Sequence, residues 1–162
     1  MKEKLQKFID SQELVAIFDN YNETDRFAVG FIIAVNDLDY IIEEITPLGK
    51  YNGLSFRLIE DIIKLEYDNE YIDDISILFN FHKEKRNDSI HIKDSLLVSL
   101  FEFARANNKI CNIQLCDSEL EDAVGFIDSI DEINVNIKMI QKNGRCDGNS
   151  IIQLQRISLQ SV

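Results

Sequence analysis

The clearest pattern along the chain is an alternation of apolar and polar positions over short segments. Between residues 27 and 35, one side of the segment carries Val29, Phe31, Ile33 and Val35. A period of two residues is typical of a β-strand with one buried face. Similar short runs predict five strands in the first part of the chain, at residues 14–18, 27–35, 40–46, 54–59 and 62–67. An amphipathic helix from Lys2 to about Ser11 is predicted before them.

The same order of elements recurs later in the chain. Residues from about 4 to 65 match residues from about 99 to 160 at a constant offset of 95 positions. The segment at 28–32, Ala-Val-Gly-Phe-Ile, recurs unchanged at 123–127. The second copy therefore predicts a helix over about 95–107 and strands at 109–115, 122–130, 135–141, 149–154 and 156–162.

Residues 68–94 belong to neither copy, and we expect them to form an ordered connector. Their apolar residues alternate, which favours a strand at 75–81, an exposed turn at 83–89 and a return strand at 90–92. Asp94, at the end of the connector, is the predicted N-cap of the second helix.

Each copy has the outline of a small, strongly bent β-barrel, because one short helix precedes about five short antiparallel strands. Asn52-Gly53 and Asp147-Gly148 are hairpin signals, since Gly tolerates a positive φ. The predicted fold class is mainly β with short helices. The predicted domains are a first barrel at 1–67, the connector at 68–94 and a second barrel at 95–162.

Each copy resembles the Sm-like barrel, an SH3-like small barrel found in the Sm, LSm and Hfq proteins. That family's first motif places a Gly in strand 2 and a small acidic or amide residue six positions later. Gly30 with Asn36 and Gly125 with Asp131 match these two elements. The resemblance implies tandem Sm-like barrels, RNA binding, and a homo-oligomer assembled through strand edges. The alternative is an internal pseudo-dimer, in which the two barrels pair with each other.

The chain departs from the Sm-like family at the positions that read RNA. The family's next Asn is Tyr40 in the first copy and Val135 in the second, and no Arg-Gly pair follows near strands 4 and 5. RNA is therefore the less favoured partner. The candidate binding residues in the turns, for RNA or for another ligand, are Asn36, Asp37, Asp39, Lys50, Asn52, Asp131, Glu132, Arg145 and Asp147.

Three positions are apolar in the first copy and polar in the second. They are Ile33, Ile41 and Ile63, opposite Asp128, Asn136 and Ser158. A polar residue at one of these positions indicates exposure to solvent, so its apolar counterpart has to be covered. We expect the three isoleucines to form an interface with the connector, the second barrel or another subunit. Repacking inside a diverged barrel is the alternative.

The composition indicates a globular protein with an acidic surface. An apolar content of 45% supports a packed core. The N-terminal residues lack an apolar secretory segment, and no apolar run approaches the ~20 residues of a membrane span. A cytoplasmic protein without membrane contact is therefore expected. The formal charge of −12 disfavours loose binding to nucleic acid and suits a basic protein partner.

The sequence offers little support for catalysis. The two histidines, His82 and His91, both lie in the connector, away from the duplicated segments. The cysteines, Cys111, Cys116 and Cys146, fit no zinc spacing and are expected to be reduced thiols. We therefore predict no catalytic residue, no metal site, no cofactor and no enzymatic activity.

Two functions are compatible with these patterns. The favoured one is a non-enzymatic acidic protein-binding module, for example an immunity or inhibitor-type protein that masks a basic toxin or nuclease. Its motivation is the charge of −12 together with the lack of catalytic groups. The alternative is an Sm-like RNA-binding regulator, as the resemblance implies.

Overall fold

The computed structural model describes residues 1–21, 23, 25–86, 90–116 and 123–161, with the backbone alone at residues 159 and 160. The chain divides into two compact units, Met1–Asp88 and Ser89–Val162. Each unit contains five antiparallel strands. In these described ranges, no helix is long and apolar enough to cross a membrane.

The first unit begins with a helix, continues through five strands and has a further helix after them. Its elements are α1 (Lys2–Ser11), β1 (Leu14–Phe18), β2 (Ala28–Val35), β3 (Asp39–Ile45), β4 (Tyr51–Leu58), β5 (Lys64–Glu66) and α2 (Glu70–His82). The strands are arranged in the order β5-β1-β2-β3-β4. A short 3-10 turn at Ile59–Asp61 connects β4 with β5.

The second unit repeats this arrangement with one helix. Its elements are α3 (Leu96–Ala106), β6 (Ile110–Leu115), β7 (Ala123–Ile130), β8 (Asn134–Ile140), β9 (Cys146–Gln153) and β10 (Ile157–Ser161). The strands are arranged in the order β10-β6-β7-β8-β9. A 3-10 turn at Leu154–Arg156 connects the last two strands, as in the first unit.

The mainly β class and the five antiparallel strands of each copy are confirmed. The sheets are not closed into barrels in the described part of the chain, because β5 does not pair with β4 and β9 does not pair with β10. In the first unit, β5 has only three residues and pairs with β1. Tandem Sm-like barrels therefore stay a prediction.

The sheet of the first unit is covered by a helix on each face. Leu5 and Phe8 of α1 pack on one face, against strand residues Val15, Ile17, Ile32, Tyr40 and Ile42. Ile72, Ile75 and Phe79 of α2 pack on the other, against strand residues Leu14, Ala16, Phe18, Val29, Phe31 and Ile45. All five residues of β1 are buried as a result, which explains why its sequence is continuously apolar.

The connector segment at 75–81 is a helix, and the predicted strand is wrong. The helix α2 begins after Asn69, whose side chain accepts the N–H of Ile72 at 3.0 Å. Its buried residues are Ile72, Ile75 and Phe79, which have the spacing of one helical face. Ile77 and Phe81 complete the alternating apolar pattern that predicted a strand, but their side chains are 65% and 77% exposed.

The connector also differs from the prediction at its end. Residues 90–92 do not form a strand. Ser95 rather than Asp94 caps α3, because the Ser95 side chain accepts the N–H of Val98 at 3.3 Å. The Ser99 hydroxyl donates to the Ser95 carbonyl at 2.7 Å. The turn predicted at 83–89 lies partly outside the described residues.

The glycine shared by the two Ala-Val-Gly-Phe-Ile segments has a steric role. A Cβ atom on Gly30 would lie 2.1 Å from the carbonyl oxygen of Glu43 in β3, and one on Gly125 would lie 2.1 Å from that of Lys138 in β8. The strand register shifts a few residues later in both copies. A side chain at this position would therefore separate β2 from β3, or β7 from β8.

Candidate functional site

The predicted binding loop between β2 and β3 is closed by one of its own side chains. The Oδ1 atom of Asn36 accepts the N–H of Leu38 at 2.8 Å and that of Asp39 at 2.7 Å. Asp131 makes the equivalent pair of bonds in the second copy, at 2.8 and 2.7 Å. Asn36 and Asp131 therefore hold the turns through backbone contacts.

The other acidic residues of these loops are open to solvent or half-buried. Asp37 is exposed and pairs with Lys2 of α1 at 2.7 Å. Glu132 is exposed in the second unit. Asp39 is half-buried, and burial raises the pKa of its carboxyl more than the hydrogen bond from Asn36 lowers it. These loops are therefore acidic turns, and Lys2 of α1 forms an ion pair with the first of them.

The two basic candidates occupy equivalent turns. Lys50 and Arg145 are both exposed, and the backbone carbonyl of each accepts an N–H from the start of its turn at 2.8 Å. Asn52 donates to Glu44 at 3.2 Å, and Asp147 accepts a side-chain amide hydrogen at 2.8 Å. The turn geometry is thus shared, while the polar partners differ between the copies.

The predicted loop residues are not gathered into one site within a unit. In the first unit, Asn36 and Asp37 lie before β3, whereas Lys50 and Asn52 lie beyond its other end. A strand of seven residues separates the two groups by about 20 Å. In the second unit, β8 separates the equivalent loops in the same way.

The three predicted interface residues differ in exposure. Ile41 is fully buried, Ile33 is half-buried at the shift of register between β2 and β3, and Ile63 is 40% exposed. Of their counterparts, Asp128 is exposed, while Asn136 is half-buried. An interface role for the three isoleucines stays a prediction.

A charged cluster that the sequence analysis missed lies on the α1 side of the first sheet. Arg57 of β4 donates from Nη1 to Asp19, which follows β1, and from Nη2 to Glu44 of β3 at 2.7 Å. Ser55 donates to the same Glu44 oxygen at 2.7 Å. The three ionic side chains are at most 17% exposed. The cluster therefore joins β3, β4 and the residue that follows β1 through charges that are largely withdrawn from water.

The two carboxylates of this cluster stabilise the positive charge on Arg57. Burial opposes the charge on Arg57, but the carboxylates of Asp19 and Glu44 raise its pKa above the ordinary value. Burial also raises the pKa of Tyr40, whose hydroxyl donates to Asp19 at 3.4 Å. The Nε–H group of Arg57 is buried and donates to no acceptor in the described part of the chain.

The cluster exists only in the first copy. The positions matching its charged residues are Gln114, Met139 and Ile152. Comparing the two copies position by position would have revealed this concentrated loss of charge. The cluster has both of its carboxylates paired with Arg57 and the Ser55 hydroxyl donating to Glu44. Its geometry points to a structural role.

A cleft opens on the opposite face of the first unit, beside α2. Its volume is about 330 Å³, and its lining comprises Asp25, Arg26, Phe27, Val29, Ile45, Pro47 and Tyr71. The rings of Phe27 and Tyr71 meet edge to face, with centroids 5.7 Å apart. The sequence analysis missed the cleft because it depends on α2, which was predicted as a strand.

The surface of α2 that faces away from the sheet combines apolar and acidic residues. Its members are Glu70, Asp73, Asp74, Ile77 and Phe81, all exposed, and we call them the outer α2 face. Ile77 and Phe81 are one helical turn apart and therefore lie side by side. The three carboxylates come before them on the same helix. An exposed apolar pair beside acidic groups is typical of a protein-binding surface.

The residue types that could bind a metal ion or act as thiols are dispersed in the described part of the chain. Among the residues that the structure describes, no group of three or more His, Cys, Asp or Glu side chains is placed to hold a metal ion. Cys111 is buried, Cys116 half-buried and Cys146 exposed, and no disulfide bond joins them. The outer α2 face and the cleft are thus the features from which a function can be argued.

Comparison with protein families, with curated proteins and with solved structures finds no match. No family assignment follows from the sequence or from the fold.

Proposed function

We propose that the protein is a non-enzymatic acidic protein-binding module, of the immunity or inhibitor type, for a basic protein partner. The observation that carries the proposal is the outer α2 face. It places an exposed apolar pair, Ile77 and Phe81, beside three carboxylates on one helix. The second copy has no counterpart of this helix in the described part of the chain.

The apolar pair supplies the central contact of the proposed interface. Phe81 is 77% exposed, and its only ring contact among the described residues of the first unit is with His82 of the same helix, at 5.4 Å. The buried residues of α2 already anchor the helix on the sheet, so the outer residues add nothing to that core. Aromatic side chains of this kind contribute strongly when a partner removes them from water.

The carboxylates select the sign of the partner's charge. Glu70, Asp73 and Asp74 lie in the first half of α2, before the apolar pair. The chain as a whole carries a formal charge of −12. A basic protein is attracted by this field before contact, which raises the association rate at low ionic strength. Masking a basic surface in this way needs recognition alone, without a chemical step.

The proposal is tested by capturing partners of the full chain from extracts of its native host after nuclease treatment. A captured basic protein is then purified, and its affinity for the chain is measured by calorimetry. We expect the double variant Ile77→Ser and Phe81→Ser to weaken binding at least about ten-fold, because both anchors are lost. Asp73→Asn with Asp74→Asn is expected to slow association and flatten its salt dependence.

The matched control removes exposed apolar side chains from the predicted loops. Leu38 and Ile133 are 73% and 61% exposed, so Leu38→Ser with Ile133→Ser changes a comparable area. This control is expected to bind as tightly as the unchanged protein. Equal loss in both double variants would contradict the assignment to α2. In a parallel capture without nuclease, recovery of RNA that Lys50→Ala and Arg145→Ala abolish would instead favour the alternative, an Sm-like RNA-binding regulator.

A further inference from the structure

The cleft beside α2 has the size and walls of a pocket for one long side chain. Its volume of about 330 Å³ is near the lower end of the range for ligand pockets, about 300–1,000 Å³. Phe27 and Tyr71 are 38% and 43% exposed, so each ring keeps part of its surface open to a ligand. Val29, Ile45 and Pro47 complete an apolar lining.

The charges around the cleft favour a cation. Arg26 pairs with Glu23 at 2.7 Å, which offsets its positive charge. Asp25 lines the cleft, is exposed, and makes no ion pair or hydrogen bond with any residue that the structure describes. On α2, Glu70 precedes Tyr71 directly, and further carboxylates follow it. A cationic group in the cleft would thus meet a negative field with one carboxylate available for pairing.

Aromatic rings of the same unit already hold cations. The Nζ atom of Lys64 lies 3.7 Å from the ring centroid of Phe18, and the guanidinium of Arg86 lies 4.3 Å from that of Phe31. Phe18 in turn packs against Phe27, with centroids 4.7 Å apart. Phe27 of the cleft is therefore packed against a ring that already makes a cation–π contact, and a cation in the cleft would make the same kind of contact with Phe27 or Tyr71.

We propose that the cleft receives an arginine side chain of the basic partner, an inference that rests on the function proposed above. A guanidinium is planar, so it can stack on Tyr71 or Phe27 while its N–H groups reach Asp25. The three methylene groups of arginine match the apolar lining. A lysine ammonium is more strongly hydrated and lacks a flat face, so it fits this cleft less well.

The test titrates the full chain, labelled with ¹⁵N, with N-acetyl-L-arginine methylamide. The neutral citrulline analogue has nearly the same shape, and the lysine analogue keeps the charge without the planar group. We expect the arginine probe to shift the amide signals of Phe27, Val29 and Tyr71. The citrulline analogue is expected to bind about ten-fold more weakly, because it loses both the cation–π contact and the ion pair.

Variants with matched controls locate the probe. Asp25→Asn and Tyr71→Leu are each expected to weaken arginine binding several-fold, since they remove the carboxylate and one aromatic wall. Asp10→Asn and Tyr67→Leu make the same changes at exposed positions outside the cleft lining, and they are expected to leave binding unchanged. All four positions are exposed, so the variants should fold.

The possible results distinguish failure of the arginine pocket from failure of the proposed function. Absence of shifts at the cleft, or equal shifts with the arginine and citrulline probes, overturns the arginine pocket. If a basic partner is captured but Asp25→Asn and Tyr71→Leu leave its affinity unchanged, the pocket is also overturned while the proposed function stands. Selective arginine binding together with a loss of partner affinity in these two variants supports both.

Discussion

Arg57 connects two carboxylates that have no counterpart in the second copy. Glu44 aligns with Met139 and Arg57 itself with Ile152, so the same positions carry apolar side chains there. A buried ion pair is favourable only while all its members are present, because each charge has lost much of its hydration. Equivalent positions thus carry an ion-paired cluster in the first copy and uncharged side chains in the second. A variant with only part of the cluster replaced should be less stable than either arrangement.

The charge cluster predicts a difference between breaking it and replacing it. Arg57→Ile leaves Asp19 and Glu44 without their cation, and we expect it to lower the free energy of unfolding by about 3 kcal/mol. The triple variant Asp19→Gln, Glu44→Met and Arg57→Ile copies the second unit and is expected to recover most of that loss. Urea unfolding followed by tyrosine fluorescence provides the measurement.

A single exchange outside the cluster controls for the loss of charge itself. Arg26→Ile removes an exposed arginine whose partner, Glu23, is also accessible to water, and it should change stability by less than about 1 kcal/mol. If the triple variant is no more stable than Arg57→Ile, the cluster is not held by compensation among these three groups.

Residues whose role is local could be predicted from the sequence at this scale. Asn36 and Asp131 were predicted as candidate binding residues in turns, and both close these turns with their own side chains. Arg57 could not be chosen, because its partners are 13 and 38 residues away in the chain. Only the pairing of β3 with β4 and the position of the segment after β1 bring these groups together.

The helix α2 shows how an element can carry two conflicting patterns. Residues 75, 77, 79 and 81 are apolar, as in a strand, while Ile72, Ile75 and Phe79 have the spacing of a helix. The N-cap formed by Asn69 and the left-handed C-cap at Lys83 favour the helix. The apolar residues left over, Ile77 and Phe81, are then available to a partner.

Packing of α2 on the sheet predicts unequal effects at two equivalent glycines. Gly49 and Gly144 both have positive φ, 70° and 79°, so alanine is strained at either position. A Cβ on Gly49 would also lie 2.5 Å from the Cβ of Leu78 in α2, whereas nothing lies within 4 Å at Gly144. We expect Gly49→Ala to cost about 3 kcal/mol and Gly144→Ala about 1 kcal/mol.

Urea unfolding of the two alanine variants measures this difference, and each serves as the control for the other. Both variants carry the same backbone strain, so the difference between their losses of unfolding free energy measures the contact between the β3–β4 turn and α2. Hydrogen exchange of the α2 amides should increase in Gly49→Ala alone. Equal losses of stability in both variants would show that α2 does not press on this turn.

On the scale of the whole molecule, the two units differ in how their acidic residues are held. Asp39 and Asp61 of the first unit are partly buried, and burial is the main cause that raises their pKa values. In the second unit, a hydrogen bond from Lys138 lowers the pKa of Asp128, and backbone N–H groups, that of Ile133 first, lower the pKa of Asp131. Folding therefore raises the pKa values of these aspartates in the first unit and lowers those in the second.

Through these aspartates, a fall in pH should change the stability of the two units in opposite directions. Asp39 and Asp61 bind protons more tightly in the folded state, so their contribution to stability rises as the pH falls toward their ordinary pKa of 3.8. Asp128 and Asp131 bind protons less tightly when folded. Their stabilising contribution is present above pH 3.8 and is lost as the pH falls through their lower folded pKa values.

Unfolding in urea at about pH 6, about pH 4 and about pH 2.5 checks this prediction, because the second unit loses its contribution only below pH 3.8. All five tyrosines lie in the first unit, so tyrosine fluorescence follows that unit, and the amide signals of Val135 and Ile137 follow the second. Asp39→Asn and Asp131→Asn each copy the residue type of the other unit's turn. Each variant should change the pH response of its own unit only, and parallel changes in both units would contradict the assignment.

The sequence by itself determined the features that depend on neighbours along the chain. The duplication, the mainly β class, the strands of both copies and the turn residues Asn36 and Asp131 all follow from periodicity, from aligned glycines and from short polar side chains. Such signals are local, because alternation over a few residues or one acceptor side chain is enough to produce them.

Only the tertiary structure decided the helical state of α2, the Arg57 cluster and the cleft. Burial of Ile72, Ile75 and Phe79 against the sheet decides which of two apolar patterns is used. Strand pairing determines which distant charges meet, and the cleft exists because α2 lies beside β2 and β3. These features depend on contacts between residues far apart in the chain, which no local pattern of polar and apolar positions encodes.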